Sequence, residues 1–358
     1  MKIVLTGGGT AGHVNPNIAL LPYLQRDGFE IEYIGSYDGI EKKLIEPCGI
    51  PYTGISTGKL RRYFSLKNFT DPFRVIKGYR EALSYLKNSK PDIVFSKGGF
   101  VSVPVVRAAG RLHIPCVIHE ADFTPGLANK LCFRAAKKIC CTFPETLKML
   151  PGKKGVLTGI PIRAELLQGD ASKGKALCGF KGDKPVLMVI GGSLGAQAVN
   201  EAVRKALPLL LPQFNVVHLC GKGKTESSFE NMDGYVQFEY ISEELRDLFA
   251  MTDVVVSRAG ANAISELLAL KKPNLLIPLP SSGSRGDQLL NANSFKNRGY
   301  SEVMNQSEVT SATLTKAVFD LYENRERYIT AMSEGAEKDA VSAVLEVILD
   351  TLGKVSGK

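Results

Sequence analysis

Short apolar runs recur along the chain, and the stretches between them carry helical spacing. In the first half the runs are KIVLTG, EIEYIGS, DIVFSKG, IPCVIHE, KKICCTF and GVLTG. In the second half they are PVLMVIGG, NVVHLCG, YVQFEYI, DVVVSRAG and PNLLIPL. These runs are continuous and rich in Val and Ile rather than alternating with polar residues. That is the pattern of strands buried on both faces, as in a parallel sheet. Residues 101–112, 126–135, 196–209, 261–270 and 288–298 read as helices between them. Regular alternation of strand and helix predicts a doubly wound α/β sheet.

The series restarts. A strand and a glycine-rich turn open the chain, and a second such pair opens at Val186. Between them Pro161-Ile162-Arg163 and the polar residues 168–184 read as a connector. A length of 358 residues suits two domains. The expected architecture is two Rossmann-like, doubly wound parallel-sheet domains facing across a cleft, residues 1–163 and 164–335. A C-terminal helix at 336–352 is expected to return to the first domain on topological grounds.

The glycines mark candidate chemistry. Gly7-Gly8-Gly9-Thr10-Ala11-Gly12-His13 lies between a strand and a helix and contains G-x-G-x-x-G. Glycines let backbone N–H groups approach an anion, and the helix N-terminus adds partial positive charge. A dinucleotide site would also want an acid at the end of the second strand. That strand ends Ile34-Gly35-Ser36, which disfavours an NAD-dependent oxidoreductase. Gly191-Gly192-Ser193-Leu194-Gly195 repeats the device in the second half, and Gly98 and Gly99 form a third turn. Glu266, in the first two turns of a helix after SRAGANAIS, either complements the helix dipole or accepts two ribose hydroxyls.

Composition narrows the classes. The seven cysteines include no CxxC pair and read as reduced thiols; the four histidines have no metal-site spacing, so neither metal nor cofactor is expected. No apolar run approaches the ~20 residues needed to span a bilayer, and the N-terminus does not read as a signal peptide. The net charge of +9 fits an anionic partner. Its densest stretch is residues 59–80. There Leu60, Arg61, Arg62, Tyr63, Phe64, Lys67, Phe69 and Phe73 mix basic with apolar side chains, which suits an anionic membrane surface. Single-stranded nucleic acid is the disfavoured reading. Ile76, Tyr79, Leu83 and Leu86 keep the spacing of a core-facing helix.

The combination GGGTAGHVNPNIAL, SKGGFVSVP, HEADFTPGLANK, TGIPIR, GGSLGA, SRAGANAISEL and DQLLNA resembles the MurG family of N-acetylglucosaminyltransferases, in order and over nearly the whole chain. The resemblance implies a GT-B fold and inverting transfer of GlcNAc from UDP-GlcNAc to the C4 hydroxyl of MurNAc in undecaprenyl-linked lipid I, giving lipid II for peptidoglycan. It implies a peripheral enzyme on the cytoplasmic face of the plasma membrane. Its partners would be UDP-GlcNAc, lipid I, the anionic membrane surface and other cell-wall synthesis proteins, with no nucleic acid. On the same grounds Ser193 with Gly192 and Gly195 would hold the donor diphosphate, Arg163 would lie near the nucleotide, and the Ile241 backbone would read uracil. Glu266, with Ala261 beside it, would bind the ribose, and Gln288 the GlcNAc hydroxyls. Thr10, Ala11 and Gly12 would reach the donor. Gly8, Gly9, His13, Gly98 and Gly99 would cradle the acceptor diphosphate. Asp287 and Asp122 stand where some members carry glutamine and asparagine, and would contact the donor through carboxylates. His13 and Glu120 are the two candidates for general base. Another UDP-sugar enzyme of this fold, such as a 2-epimerase or a lipid glycosyltransferase with a different acceptor, is the nearest alternative. A non-catalytic peripheral membrane protein that binds nucleotide sugar is a third.

Overall fold

The structure is a computed structural model that describes residues 1–58, 67–192, 195–280, 286–335 and 339–356, with the backbone alone at 67–72 and 354–356. It divides into two compact units, Met1–Arg163 with Lys338–Lys358, and Ala164–Glu337.

The first unit runs β1 (Lys2–Thr6), α1 (Asn15–Arg26), β2 (Glu30–Ser36), α2 (Ile40–Ile45), β3 (Tyr52–Ile55), α3 (Lys67–Ser89), β4 (Ile93–Ser96), α4 (Ser102–Arg111), β5 (Cys116–Glu120), α5 (Leu127–Cys132), β6 (Lys138–Cys141), α6 (Pro144–Leu147) and β7 (Gly155–Leu157). The second runs α7 (Ala171–Cys178), β8 (Val186–Ile190), α8 (Gln197–Leu210), β9 (Asn215–Leu219), β10 (Tyr235–Phe238), α9 (Leu245–Met251), β11 (Val254–Ser257), α10 (Ala261–Ala269), β12 (Asn274–Leu276), α11 (Asp287–Asn297), β13 (Glu302–Val303), α12 (Ser311–Glu323) and α13 (Arg325–Glu334). The last helix, α14 (Ala340–Ser356), belongs to the first unit.

Both sheets are parallel, as the continuous apolar runs require. The first has the order β3-β2-β1-β4-β5-β6-β7 and the second β10-β9-β8-β11-β12-β13. The two share one plan. The chain lays three strands outward in one direction, then returns beside the first strand and continues the other way. The reversal points are β1/β4 and β8/β11, and sheets of this kind bind ligands beyond the strand C-termini there.

The first sheet is covered on both faces. On one side Ile3, Leu5, Phe95 and Val117 pack with Leu20 and Leu24 of α1 and with Val341, Val344 and Ile348 of α14. On the other, Val4, Val94 and Ile118 pack with Ala82 and Leu86 of α3 and Val105 and Ala109 of α4. Helix α14 therefore completes a face of the sheet that opens the chain.

The sequence reading missed β3 and β13. It also placed Ile76 in the core, and that is corrected here: Ile76 is 51% exposed, whereas Ala82 and Leu86 are buried. Gly78 packs against the Ser56 backbone just past β3. The turn of α3 before it carries Phe73 (75% exposed) and Ile76. Of the membrane-facing residues expected from the sequence, Leu60, Arg61, Arg62, Tyr63 and Phe64 lie outside the described residues. Lys67 and Phe69 are described only as backbone of α3.

Neighbouring residues of α14 test its packing. Ile348 is fully buried and Leu349 is 41% exposed. Ile348→Ala should cost about 2–5 kcal/mol, read as a lower urea midpoint for the first unit. Leu349→Ala should stay within about 1 kcal/mol of wild type. Equal effects would mean that α14 is not held by this face.

Candidate functional site

At the β1/β4 reversal two glycine turns press together. Gly99 has φ +85°, and a Cβ there would run into the Gly8 carbonyl and stand 3.1 Å from His13 Nδ1. Gly9 (φ +87°) leaves a Cβ no room beside the Phe100 ring. These positions need glycine for both conformation and space.

The first turn is braced from below. Tyr33 Oη donates to Gly7 O (2.8 Å), and Asn17 Nδ2 donates to Thr6 O (3.2 Å). Glu41, fully buried at the start of α2, turns its carboxylate under the turn. Oε2 accepts from the Gly9 amide (3.1 Å); Oε1 accepts from the Ser36 amide (3.0 Å) and from the Ser36 hydroxyl. Gly9 was expected to offer its N–H to a ligand, and here that N–H already has an anion of the protein's own.

His13 closes a short 3-10 turn before α1. Its Nδ1 lies 3.1 Å from the Gly8 carbonyl and 3.1 Å from Thr10 Oγ1. A carbonyl can only accept, so Nδ1 carries the hydrogen and the lone pair resides on Nε2. That is the tautomer a general base requires. Thr10 is exposed, and Ala11, Gly12 and His13 are half-buried on the same turn.

The other candidate base is placed differently. Glu120 ends β5 and is 4% exposed. Its oxygens accept from Asp122 N (3.2 Å), Gly126 N (2.9 Å) and Asn129 Nδ2 (2.8 Å). Burial pushes its carboxyl above the usual range. Such a group fixes the loop 121–126, on which Asp122 sits half-buried. Beside it His119 donates from Nε2 to Gly159 O (2.7 Å) and is held well below its ordinary pKa by burial, so the ring is neutral.

The second unit has its own glycine turn after β8, beside the end of β9. Gly192 (φ +81°) faces open space, and Gly195 (φ +67°) leaves its Cβ position against the Cys220 carbonyl. Ser193 lies outside the described residues. Helix α8 starts at once, and its N-cap Ala196 has no side chain to occupy the first amides. Across the reversal, α10 likewise starts behind Gly260 with no side-chain cap. Glu266 is half-buried on α10, one turn beyond Asn262.

Side chains here chiefly fasten loops. Arg258 donates to Ile277 O (2.9 Å), Pro278 O (3.3 Å) and Gln306 Oε1 (2.6 Å), tying β11 to the segment after β12. Asn291 Nδ2 donates to Ala259 O (3.2 Å), and Gln288 Oε1 accepts from Leu279 N (2.9 Å). Asp287 is buried in the first turn of α11, behind Gly286 (φ +80°). Ile241 is half-buried three residues past β10, and Arg163 is the last residue of the first unit before the chain crosses to the second.

Comparison with known proteins now bears on these features. Residues 3–141 match the glycosyltransferase family 28 N-terminal domain, and residues 186–346 the family's C-terminal domain. A curated protein of Lachnospira eligens is 63% identical over 98% of this chain and 99% of its own length. It is named UDP-N-acetylglucosamine--N-acetylmuramyl-(pentapeptide) pyrophosphoryl-undecaprenol N-acetylglucosamine transferase. A Clostridium botulinum protein of the same name is 57% identical over 97% of this chain and 98% of its own. The crystal structure of Acinetobacter baumannii MurG superposes with a TM-score of 0.76 at 26% identity, covering 98% of this chain and 99% of that one. The chain belongs to the MurG family, within glycosyltransferase family 28.

Likeness of fold alone reaches further. A calicheamicin glycosyltransferase superposes with a TM-score of 0.72 at 15% identity, covering 99% of this chain and 98% of that one. The family 28 matches begin one residue into β1 and at the first residue of β8, so each takes in a glycine turn and its reversal point. In this MurG-family chain the sequence pointed to the turns themselves. It missed Glu41, which lies 32 residues from the amide it engages, and the loop-tying roles of Arg258, Asn291 and Glu120.

Glu41 gives a direct test of the brace. Glu41→Ala strips two part-buried amides, of Gly9 and Ser36, and the Ser36 hydroxyl of their acceptor, each loss worth about 1 kcal/mol. The thermal midpoint should fall, and Glu41→Gln, which keeps one carbonyl oxygen, should fall less. A wild-type midpoint in Glu41→Ala would mean that the turn holds itself.

Proposed function

We infer that this chain transfers N-acetylglucosamine from UDP-N-acetylglucosamine to lipid-linked N-acetylmuramyl-pentapeptide. The observation that carries the reading is the full-length identity of 63% with a curated transferase of that name. The geometry supports it: each unit sets a glycine turn at a sheet reversal, suited to a phosphorylated ligand. The second unit takes the donor and the first takes the acceptor.

The chemistry is a single displacement with inversion at the anomeric carbon. The C4 hydroxyl of the acceptor sugar attacks C1, the bond from C1 to the diphosphate oxygen breaks, and its electron pair leaves with UDP. His13 Nε2 takes the hydroxyl proton, with Nδ1–H anchored on Gly8 O. The turn Gly192–Gly195 and the uncapped start of α8 receive the growing charge on UDP, and Arg163 adds a guanidinium. Glu266 binds the ribose hydroxyls, the Ile241 backbone reads uracil, and Gln288 and Asp287 meet the GlcNAc hydroxyls. Glu120 positions the loop that carries Asp122.

The enzyme works as a peripheral protein on the cytoplasmic face of the membrane that bears its acceptor. Among the described residues no helix is long and apolar enough to cross a membrane. The basic and aromatic segment that ends at the exposed Phe73 supplies the contact.

A turnover assay tests the reading. Purified wild-type chain should release UDP from UDP-N-acetylglucosamine only when a short-chain, lipid-linked acceptor analogue is present. His13→Ala should lower that turnover by about 10²–10⁴-fold and leave UDP affinity unchanged in calorimetry. UDP release that ignores the acceptor would contradict the transfer. A loss below about tenfold in His13→Ala would take the base role from His13.

A further inference from the structure

Lys97 follows β4 directly and so stands at the first reversal point, between the two glycine turns and the sheet. It is 1% exposed. Its amide donates to Thr6 O (2.9 Å), and its Cβ lies 3.3 Å from where a Cβ on Gly7 would be. Among the described residues its Nζ makes no hydrogen bond. Burying an ammonium without a partner is costly.

Among the described residues no neighbouring acid hydrogen-bonds the ammonium, although Glu120 and Asp122 attract it. Glu120 spends both oxygens on three N–H donors. His119 lies one step past the Ser96–Ile118 pair of the β4/β5 register. It donates its Nε2–H to Gly159 O, and its buried Nδ1 likewise has no partner. Asn17 Oδ1, from α1, is a third buried atom without one. These two are neutral acceptors, and they can satisfy the hydrogens of Nζ through water while leaving its charge in place. Above them lie Gly8 and Gly99, which touch each other.

We propose that Lys97 is an affinity and positioning residue for the acceptor: a buried positive charge with no hydrogen-bonded partner, at the strand end that leads into the second glycine turn, that draws the acceptor's diphosphate onto the turns without touching it. The proposal rests on the reading of the first unit as the acceptor site. Through protein of low polarity a charge acts over several ångströms and is little screened by salt.

The titration of Lys97 makes the idea testable. Burial pulls its ammonium down to about 8, against the opposing pull of Glu120 and Asp122. The other titratable groups facing it are neutral near that pH: His119 is held well below its ordinary pKa, and the Cys140 thiol of β6 is pushed up to about 12 by burial. The charge is therefore present below about pH 8 and lost above it. Attraction for the acceptor follows the same direction.

The experiment compares wild type, Lys97→Met and Lys97→Arg in steady-state kinetics with UDP-N-acetylglucosamine and a short-chain, lipid-linked acceptor analogue, from about pH 6.5 to about pH 9.5. For wild type, kcat/KM for the acceptor should fall as pH rises through about 8, while kcat/KM for the donor does not. In Lys97→Met the acceptor KM should rise roughly 10- to 100-fold and lose its alkaline dependence, with kcat and donor KM near wild type. Lys97→Arg should restore acceptor affinity and keep it at high pH. If Lys97→Met does not fold, the wild-type profile and the Arg variant decide. An acceptor kcat/KM that is flat through the alkaline range in wild type would overturn the proposal, as would a Met variant that weakens donor and acceptor alike. Absence of acceptor-dependent turnover in wild type would overturn the transferase reading, and this proposal with it.

Discussion

Backbone must touch backbone at the glycine turn that follows the first strand of each unit's sheet, and both units are arranged around that constraint. In the first, Gly99 lies against the Gly8 carbonyl; in the second, Gly195 lies against the Cys220 carbonyl. A side chain at either position would push two strand ends apart. Their closeness lets the helices that follow start immediately, without side-chain caps, at α8 and α10. Open helix N-termini beside glycines are a receptive surface for phosphate. The close backbone approach thus fixes which residues are tolerated there, and the uncapped helix starts beside it suit an anion.

Around this backbone surface the polar side chains are mostly occupied with the protein itself. Glu41, Glu120, Arg258 and Asn291 hold turns and loops through short bonds to main-chain atoms. His13 is held through Nδ1 by the Gly8 carbonyl. A transferase that forms no covalent intermediate needs little more than one base, a place for departing charge and rigid support for both. The rigidity comes from carboxylates and amides bonded to the main chain. Substitutions at such positions would act on stability first and on kinetics through it.

Much of this was legible from the chain. The long apolar runs gave eleven strands because a parallel strand buried on both faces must be apolar throughout. The two strands missed are the weak cases: Tyr52–Ile55 is half-buried and contains a glycine, and Glu302–Val303 has only two residues, both half-buried. Glycine turns were visible because their conformational need has a residue signature. Glu41 was not, since its amide partner is distant in sequence and nothing local marks a carboxylate as buried. Lys97 sat in plain view within SKGGF, yet a lysine beside two glycines reads as exposed until the sheet is built around it. Ile76 kept the right helical spacing, but periodicity cannot tell which turns of a helix are covered.

The fold is shared at low sequence identity, as the calicheamicin glycosyltransferase shows. Architecture alone therefore does not choose a reaction. The proposed transfer depends on backbone amides after β8 holding the donor's diphosphate. A crystal structure of the chain with UDP measures this directly. The diphosphate should lie against the turn 191–195 and the first amides of α8, with the ribose within hydrogen-bond reach of Glu266. Density for the nucleotide on the turn 7–12 of the first unit, or a diphosphate held away from the α8 amides, would contradict the account.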